Sequence, residues 1–350
     1  MKKFVYIIIG IFLVGFQQCK KNKTVDKSVE IANEILYDFP SKVLIPNLYQ
    51  LNQEAKNLLS SVEIFVNKSD ESNLNTAQNA WLKTRVEWEK SEACLFGPVS
   101  TLNLDPAIDS WPVNFVEIDS VIKGSISFSD TYIDNLANTL KGFHCIEYML
   151  FGKSKSRKAS DLTTKQKDYL VAVTKHLNRI TFQMHHEWIE TGNNFSQNIT
   201  LAGTKYSIYK TKREALLEIT KAMSEIIAEV GLSKIDAPFA AQDSTLEESP
   251  FALNSWQDFK NNILGARNVY TSSSHNGVQK FVTEYNKSLD ATILQNFDIC
   301  LKSIDSFKEP FGRSIYSQPA AVQSLQSQLS TLRYNLESEL VRLIEAKIIE

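Results

Sequence analysis

The sequence predicts an all-α protein of two helical, four-helix-bundle-like domains, and three observations carry that expectation. Apolar residues recur at helical spacing along nearly the whole chain. Only 12 glycines and 9 prolines occur, too few for the tight turns of a many-stranded sandwich. The 350 residues exceed the usual size of one hydrophobic core, and 43 % hydrophobic residues supply apolar material for two.

The start of the chain is not expected to belong to the fold. Met1, Lys2 and Lys3 give a positive start, and residues 4–16 form an apolar run, shorter than the about 20 residues that a spanning helix needs. That is the pattern of an export signal, expected at 1–18. Cys19 follows, ahead of Lys20, Lys21, Asn22 and Lys23, and is expected to be cleaved and lipidated. Residues 19–28 then form a tether, and the protein is expected to be exported and held at a membrane, on the periplasmic or outer-membrane face. Phe16, Gln17 and Gln18 depart from the small residue usual before such a cysteine.

The first expected helix spans 44–67, where Leu48, Leu51, Ala55, Leu58, Leu59, Val62, Phe65 and Val66 share one face. The second spans 73–96, with Ala77, Trp81, Arg85, Trp88, Glu92 and Leu95 at helical spacing, and Gly97 and Pro98 stop it. A third is expected over 131–151, ended by Gly152. Residues 151–161 read as a polar linker dividing an N-terminal bundle, 29–155, from a C-terminal bundle, 156–350. Thr163 and Gln166 have the spacing of a capping box, opening a helix with Leu170, Val173, Leu177, Ile180, Met184 and Trp188. Another helix is expected over 208–230, closed by Gly231, and then a long loop over 233–254 that folds over a bundle face. Val322, Leu325, Leu329, Leu332, Leu336 and Leu343 mark a terminal helix with Pro319 near its first turn.

Composition excludes several function classes. A net charge of −2, with no basic stripe interleaved with aromatics, gives no footprint for nucleic acid. Beyond Cys19, the cysteines Cys94, Cys145 and Cys300 sit in apolar helical contexts and read as buried free thiols. No HExxH helix, GxSxG elbow, Walker A loop or GxGxxG turn is present. His186-Glu187-Trp188-Ile189-Glu190 ends in Glu where a zinc protease needs His, and reads as a polar helix face with Trp188 packed inward. His176 and His185 have the same reading, and His275 reads as a loop residue.

His144 differs. Glu147 lies three residues on, so a helix presents imidazole and carboxylate on one face, amid the apolar Phe143, Ile146, Tyr148, Met149 and Leu150. Gly142 removes a side chain beside them and permits close approach. Such a pair suits metal binding, or a base with its orienting partner; it suits equally a structural bridge between helices.

Gly142, His144 and Glu147 match the GxHxxE motif, and this stretch resembles the imelysin family. Further blocks resemble the family in the same order: 81–98 with Trp81, Arg85, Trp88 and Glu92; 105–112 with Asp105, Asp109, Trp111 and Pro112; 248–255 with Glu248 and Ser255; and 258–263 with Asp258. Together they cover the chain from about residue 30 onward. Cys145 stands where a small apolar residue is usual, and Ala252 where Ser is common. The resemblance implies a two-domain helical fold with the motif near the domain junction, export or lipid anchoring, and a link to iron uptake. It also implies candidate partners, the membrane and iron-uptake components, and the family's metallopeptidase classification.

The expected site therefore gathers His144 and Glu147, as metal ligands, with Glu92, Asp109, Arg85 and Gly142. Arg85 and Glu92 are seven residues apart on one helical stripe, and Asp109 precedes an extended Trp111-Pro112 segment. The cofactor would be a divalent or ferric ion, iron or zinc. The function expected is a metal- or ligand-binding component of iron uptake; the alternatives are a metallopeptidase, for which the motif supplies only two ligands, and a partner-recognition protein in which the pair is structural.

Overall fold

The computed structural model describes residues 26–350; the expected signal segment and Cys19 lie outside the described residues. Every regular element is helical, and no strand occurs among the described residues. None of these helices is long and apolar enough to cross a membrane. The principal helices are α1 (Lys27–Asp38), α2 (Ile45–Asn67), α3 (Glu71–Ser91), α4 (Phe143–Phe151), α5 (Thr164–Trp188), α6 (Lys212–Glu229), α7 (Ser255–Thr271), α8 (Val278–Tyr285), α9 (Lys287–Ser306) and α10 (Pro319–Tyr334).

Helix starts follow local chemistry. Asp70 caps α3 by accepting from the Asn73 amide at 2.9 Å. The capping box forms as expected: Thr163 Oγ1 accepts from the Gln166 amide, and Gln166 Oε1 from the Thr163 amide. Pro319 sits in the first turn of α10, which continues through a π-turn, Asn335–Leu340, into Val341–Lys347. Trp188 is buried, as the sequence predicts, and His176 Nδ1 lies 2.9 Å from Asp134 Oδ1. Cys94, Cys145 and Cys300 are buried free thiols.

Three expected elements differ. The helix expected over 131–151 is broken: a short turn, Asp130–Asp134, and another, Asn138–Leu140, precede α4. The break spans 135–142 and ends at Gly142, whose φ of +82° lets the chain turn into α4. The helix expected from 208 begins at Lys212, because Thr211 caps it, and Gly231 lies inside a π-turn, Val230–Lys234, without ending the helix. The loop expected over 233–254 contains a helix, Asp236–Ala241, and a tight turn, Ser244–Leu246. The polar linker is also ordered: Arg157 donates to the carbonyls of Met149 and Tyr148 at 3.0 Å each, satisfying the end of α4.

One bundle is built from α2, α3 and α5, with α4 laid against α3 and α5; the other from α6, α7, α9 and α10, with α8 beside them. The division expected at 155/156 does not match this packing. Helix α5, beyond the linker, lies along α2, and α1, before it, packs against α6 and α8. Helix α3 touches α2 and α4 on one side and α7 on the other, so it joins the two bundles. That contact is close because Gly265 has no side chain: a Cβ there would stand 2.3 Å from the Lys90 carbonyl oxygen.

Gly142 permits a second close approach, since a Cβ would stand 2.2 Å from the carbonyl oxygen of Ile108, next to Asp109. Gly142→Ala combines this clash with a left-handed backbone, and is expected to cost on the order of 2 kcal/mol or more. Gly203→Ala, with the same φ but only ordinary contacts, the nearest being Lys212 Nζ at 3.4 Å, is the control and should cost about 1 kcal/mol. Denaturant melts of the two variants check this; equal losses would refute it.

Candidate functional site

The site forms where α3, α4, α7 and the segments carrying Asp109 and Glu248 converge. Arg85 projects from the middle of α3 and has no exposed surface. Its guanidinium pairs with Glu89 one turn on, with Asp109, with Glu248 at 2.9 Å and more distantly with Asp258 at 3.8 Å. The Phe143 ring lies 5.0 Å beneath it. Burial by itself would loosen its proton, but Asp109, Glu89, Asp258 and Glu248 together raise its pKa well above the ordinary value.

Lys234, from the π-turn after α6, is the second buried cation of the site. Its ammonium lies 2.9 Å from Glu92 and 3.4 Å from both Glu89 and Glu248. Asn262 of α7 donates to Glu89 and Glu92 at 2.7 Å each. Glu92, expected beside His144, is held by this lysine, and one of its oxygens lies within 4.8 Å of carboxylate oxygens of Glu89 and Asp109.

His144 opens α4 with its side chain enclosed. Its Nδ1 lies 3.1 Å from Glu147 Oε2. Its Nε2 lies 3.1 Å from Asp109 Oδ1 and 3.8 Å from Glu248 Oε1, without a properly directed hydrogen bond to either. Asp109, His144 and Glu248 each offer a donor atom within 4.8 Å of the others, so they make a compact ligand set. Asp109 is fixed on its other oxygen by Trp88 Nε1 at 2.5 Å.

Of the roles expected for Glu147, ligand and orienting partner, its hydrogen bonds fit the second. Its Oε1 accepts from the amides of Phe251 and Ala252, at 2.9 and 2.8 Å, while Oε2 holds His144. Both oxygens are committed, so Glu147 orients the imidazole and straps the 247–254 segment to α4. Ala252 contributes there through its backbone amide.

Above His144 opens a cleft of about 640 Å³, within the range of small-molecule sites. Trp111, Phe115, Leu246 and Phe251 line its walls, and His144 is part of its lining. Among the residues that the sequence reading did not single out, Glu89 lies one turn after Arg85, and Glu248 and Asp258 lie in resembling blocks, so a signal for each was present. Asn262 lies in the 258–263 block as well, and Lys234 carried no signal.

The buried acids Glu89, Glu92, Asp109, Glu147, Glu248 and Asp258 outnumber the fixed cations Arg85 and Lys234. Retained protons absorb part of the excess. Burial and the Glu89 charge raise Glu92 well above the carboxylate range, and burial raises Asp258 to about 8. Burial alone would lower His144, but the negative charges of Asp109 and Glu147 beside it raise it to about 10. Asp109, though buried, is held far below the usual range by Arg85 and His144. An excess of acid neutralised by protons is an arrangement in which a metal cation can take the protons' place.

These shifts fix a pH dependence. Between 6.5 and about 10 the folded state holds a His144 proton that the unfolded chain has released. The stabilisation is complete below 6.5 and is lost as pH rises through 10, at most about 1.4 kcal/mol per pH unit. Asp258 acts in the same direction between 3.8 and about 8. The thermal midpoint is expected to fall between pH 6.5 and 10, and less steeply in His144→Ala; an equally steep fall in the variant would contradict the assignment.

Comparison with known proteins agrees with this architecture. A family model described as Imelysin matches residues 44–338. Iron-regulated protein A of Synechococcus elongatus is 24% identical over 324 residues, covering 90% of this chain and 87% of that protein. A crystal structure assigned as an iron-regulated protein A precursor from Parabacteroides distasonis superimposes with a TM-score of 0.82 at 22% identity, over 93% of this chain and 97% of that one. An imelysin-like protein from Psychrobacter arcticum has a TM-score of 0.76 at 13% identity, over 91% and 97% of the two chains. The matched region takes in both bundles and every member of the buried network, far more than one short motif, and the chain belongs to the imelysin family.

Proposed function

We infer that this protein binds a metal cation, of the iron or zinc kind, at the cleft floor, as the binding component of an iron-acquisition system. One observation carries the reading: His144 Nε2 is buried, lacks a directed hydrogen bond, faces Asp109 and Glu248, and belongs to the lining of an open cleft. Imidazole with two carboxylates suits a hard or borderline ion. The ion is cargo, and Glu147 is the outer partner that holds the imidazole ring in its binding orientation. The iron-regulated designation of the Synechococcus relative supports the link to iron. Export and anchoring through Cys19 belong to the same proposal, supported by Lys2, Lys3 and the short apolar run. The hydrolytic alternative requires a free carboxylate base beside the metal, and both oxygens of Glu147 are engaged.

Elemental analysis and titration calorimetry of the purified protein with Fe(II), Fe(III) and Zn(II) test the reading. One bound ion per chain is expected, lost in His144→Ala and weakened about 10- to 100-fold in Glu147→Gln. Undiminished binding by His144→Ala would overturn it. Mass spectrometry should find the mature chain starting at an acylated Cys19; an intact, unmodified Cys19 would remove the anchoring part.

A further inference from the structure

The cleft has chemistry that a bare ion does not use. Its walls are apolar and largely aromatic, from Trp111, Phe115, Leu246 and Phe251. A hydrated ion gains nothing from such walls, whereas a flat organic body does. Two exposed cations complete the lining. Lys153 follows α4 and places its ammonium 4.3 Å from the Phe115 ring centroid. Arg313 comes from the other bundle, on the short helix Phe311–Ser317. Among the described residues, neither side chain has a carboxylate partner or a hydrogen bond. The acid on the lining, Glu247, is buried, with Oε2 accepting from Ser255 Oγ at 2.8 Å and the Gly312 amide at 3.2 Å.

A cation-binding floor beneath aromatic walls and an unpaired cationic rim fits one class of ligand. Resting on the metal reading above, we propose that the cleft takes the metal as a complex with an anionic aromatic chelator: the metal faces His144, the ring packs on Trp111 and Phe115, and the chelator's negative groups meet Lys153 and Arg313. The rim cations come from different bundles, so the chelator bridges them. Surface ammonium and guanidinium groups without partners are available to such an anion without first breaking an ion pair.

The probe is Fe(III) supplied with radiolabelled 2,3-dihydroxybenzoate, against aquated Zn(II) supplied alone, on the protein folded as isolated. The wild type is expected to retain iron and labelled chelator together after desalting. Lys153→Ala with Arg313→Ala should lose the chelator and bind the complex about tenfold or more weakly, while Zn(II) binding and the thermal midpoint stay unchanged. Lys153→Arg with native Arg313 should keep the chelator, since the charge is retained. Metal held without chelator, or equal binding of the complex by wild type and double variant, overturns the chelate proposal and leaves the metal reading in place. Failure of the wild type to hold metal in either form overturns both.

Discussion

A guanidinium that loses its water shell must have its charge and hydrogen bonds met by the protein instead, so Arg85 can be buried only where opposite charges reach it from several directions. Its partners come from separate places: Glu89 from its own helix, Asp109 from the segment after α3, Glu248 from the strap and Asp258 from α7. No isolated piece of the chain holds that set. The first bundle cannot bury Arg85 favourably until α7 and the strap are docked on it, and removing one partner of such a buried set costs about 3–5 kcal/mol. The joint between the bundles is thus an electrostatic requirement as well as an apolar contact.

The same requirement sets up the site. Gathering enough carboxylates for Arg85 and Lys234 leaves acid in excess, and the excess lies where His144 Nε2 meets Asp109 and Glu248. Raised proton affinities at Glu92, Asp258 and His144 accompany that excess. A network locked by its own cations alone would need no such protons. One joined to the lining of a cleft, with its imidazole nitrogen undirected, has the means to exchange them for a cation.

Two small details hold the geometry. Gly142 lets α4 start against the Ile108 carbonyl, which brings His144 to Asp109. Glu147 then fixes the imidazole with one oxygen and the strap backbone with the other, so the residue that aims the ring also keeps Glu248 in range. Orientation of the donor and placement of the opposing carboxylate are therefore one mechanical unit.

Much of the fold was legible in the sequence because helix formation is local. The apolar stripes of α2, α3 and α5, the Thr163 capping box and Pro319 each act within a few residues of their own position. The pairing of His144 with Glu147 was legible for the same reason, and the matching blocks pointed to Arg85 and Asp109 before any geometry was known. Tertiary structure decided the rest. The break at Gly142 depends on a carbonyl 34 residues earlier in the chain, at Ile108. The crossing of α5 and α1 between bundles depends on which apolar faces meet. Glu147 turned from candidate ligand to strut because the amides of Phe251 and Ala252 reach it from more than 100 residues away. Lys234, in a segment with no local signal, became a central cation because Glu92, 142 residues earlier, lies against it. Helical spacing is set by short-range backbone geometry, and so is written in the sequence. The charge state and partners of a buried group are set by everything the fold places within a few ångströms, and that is known only once the chain has closed around it.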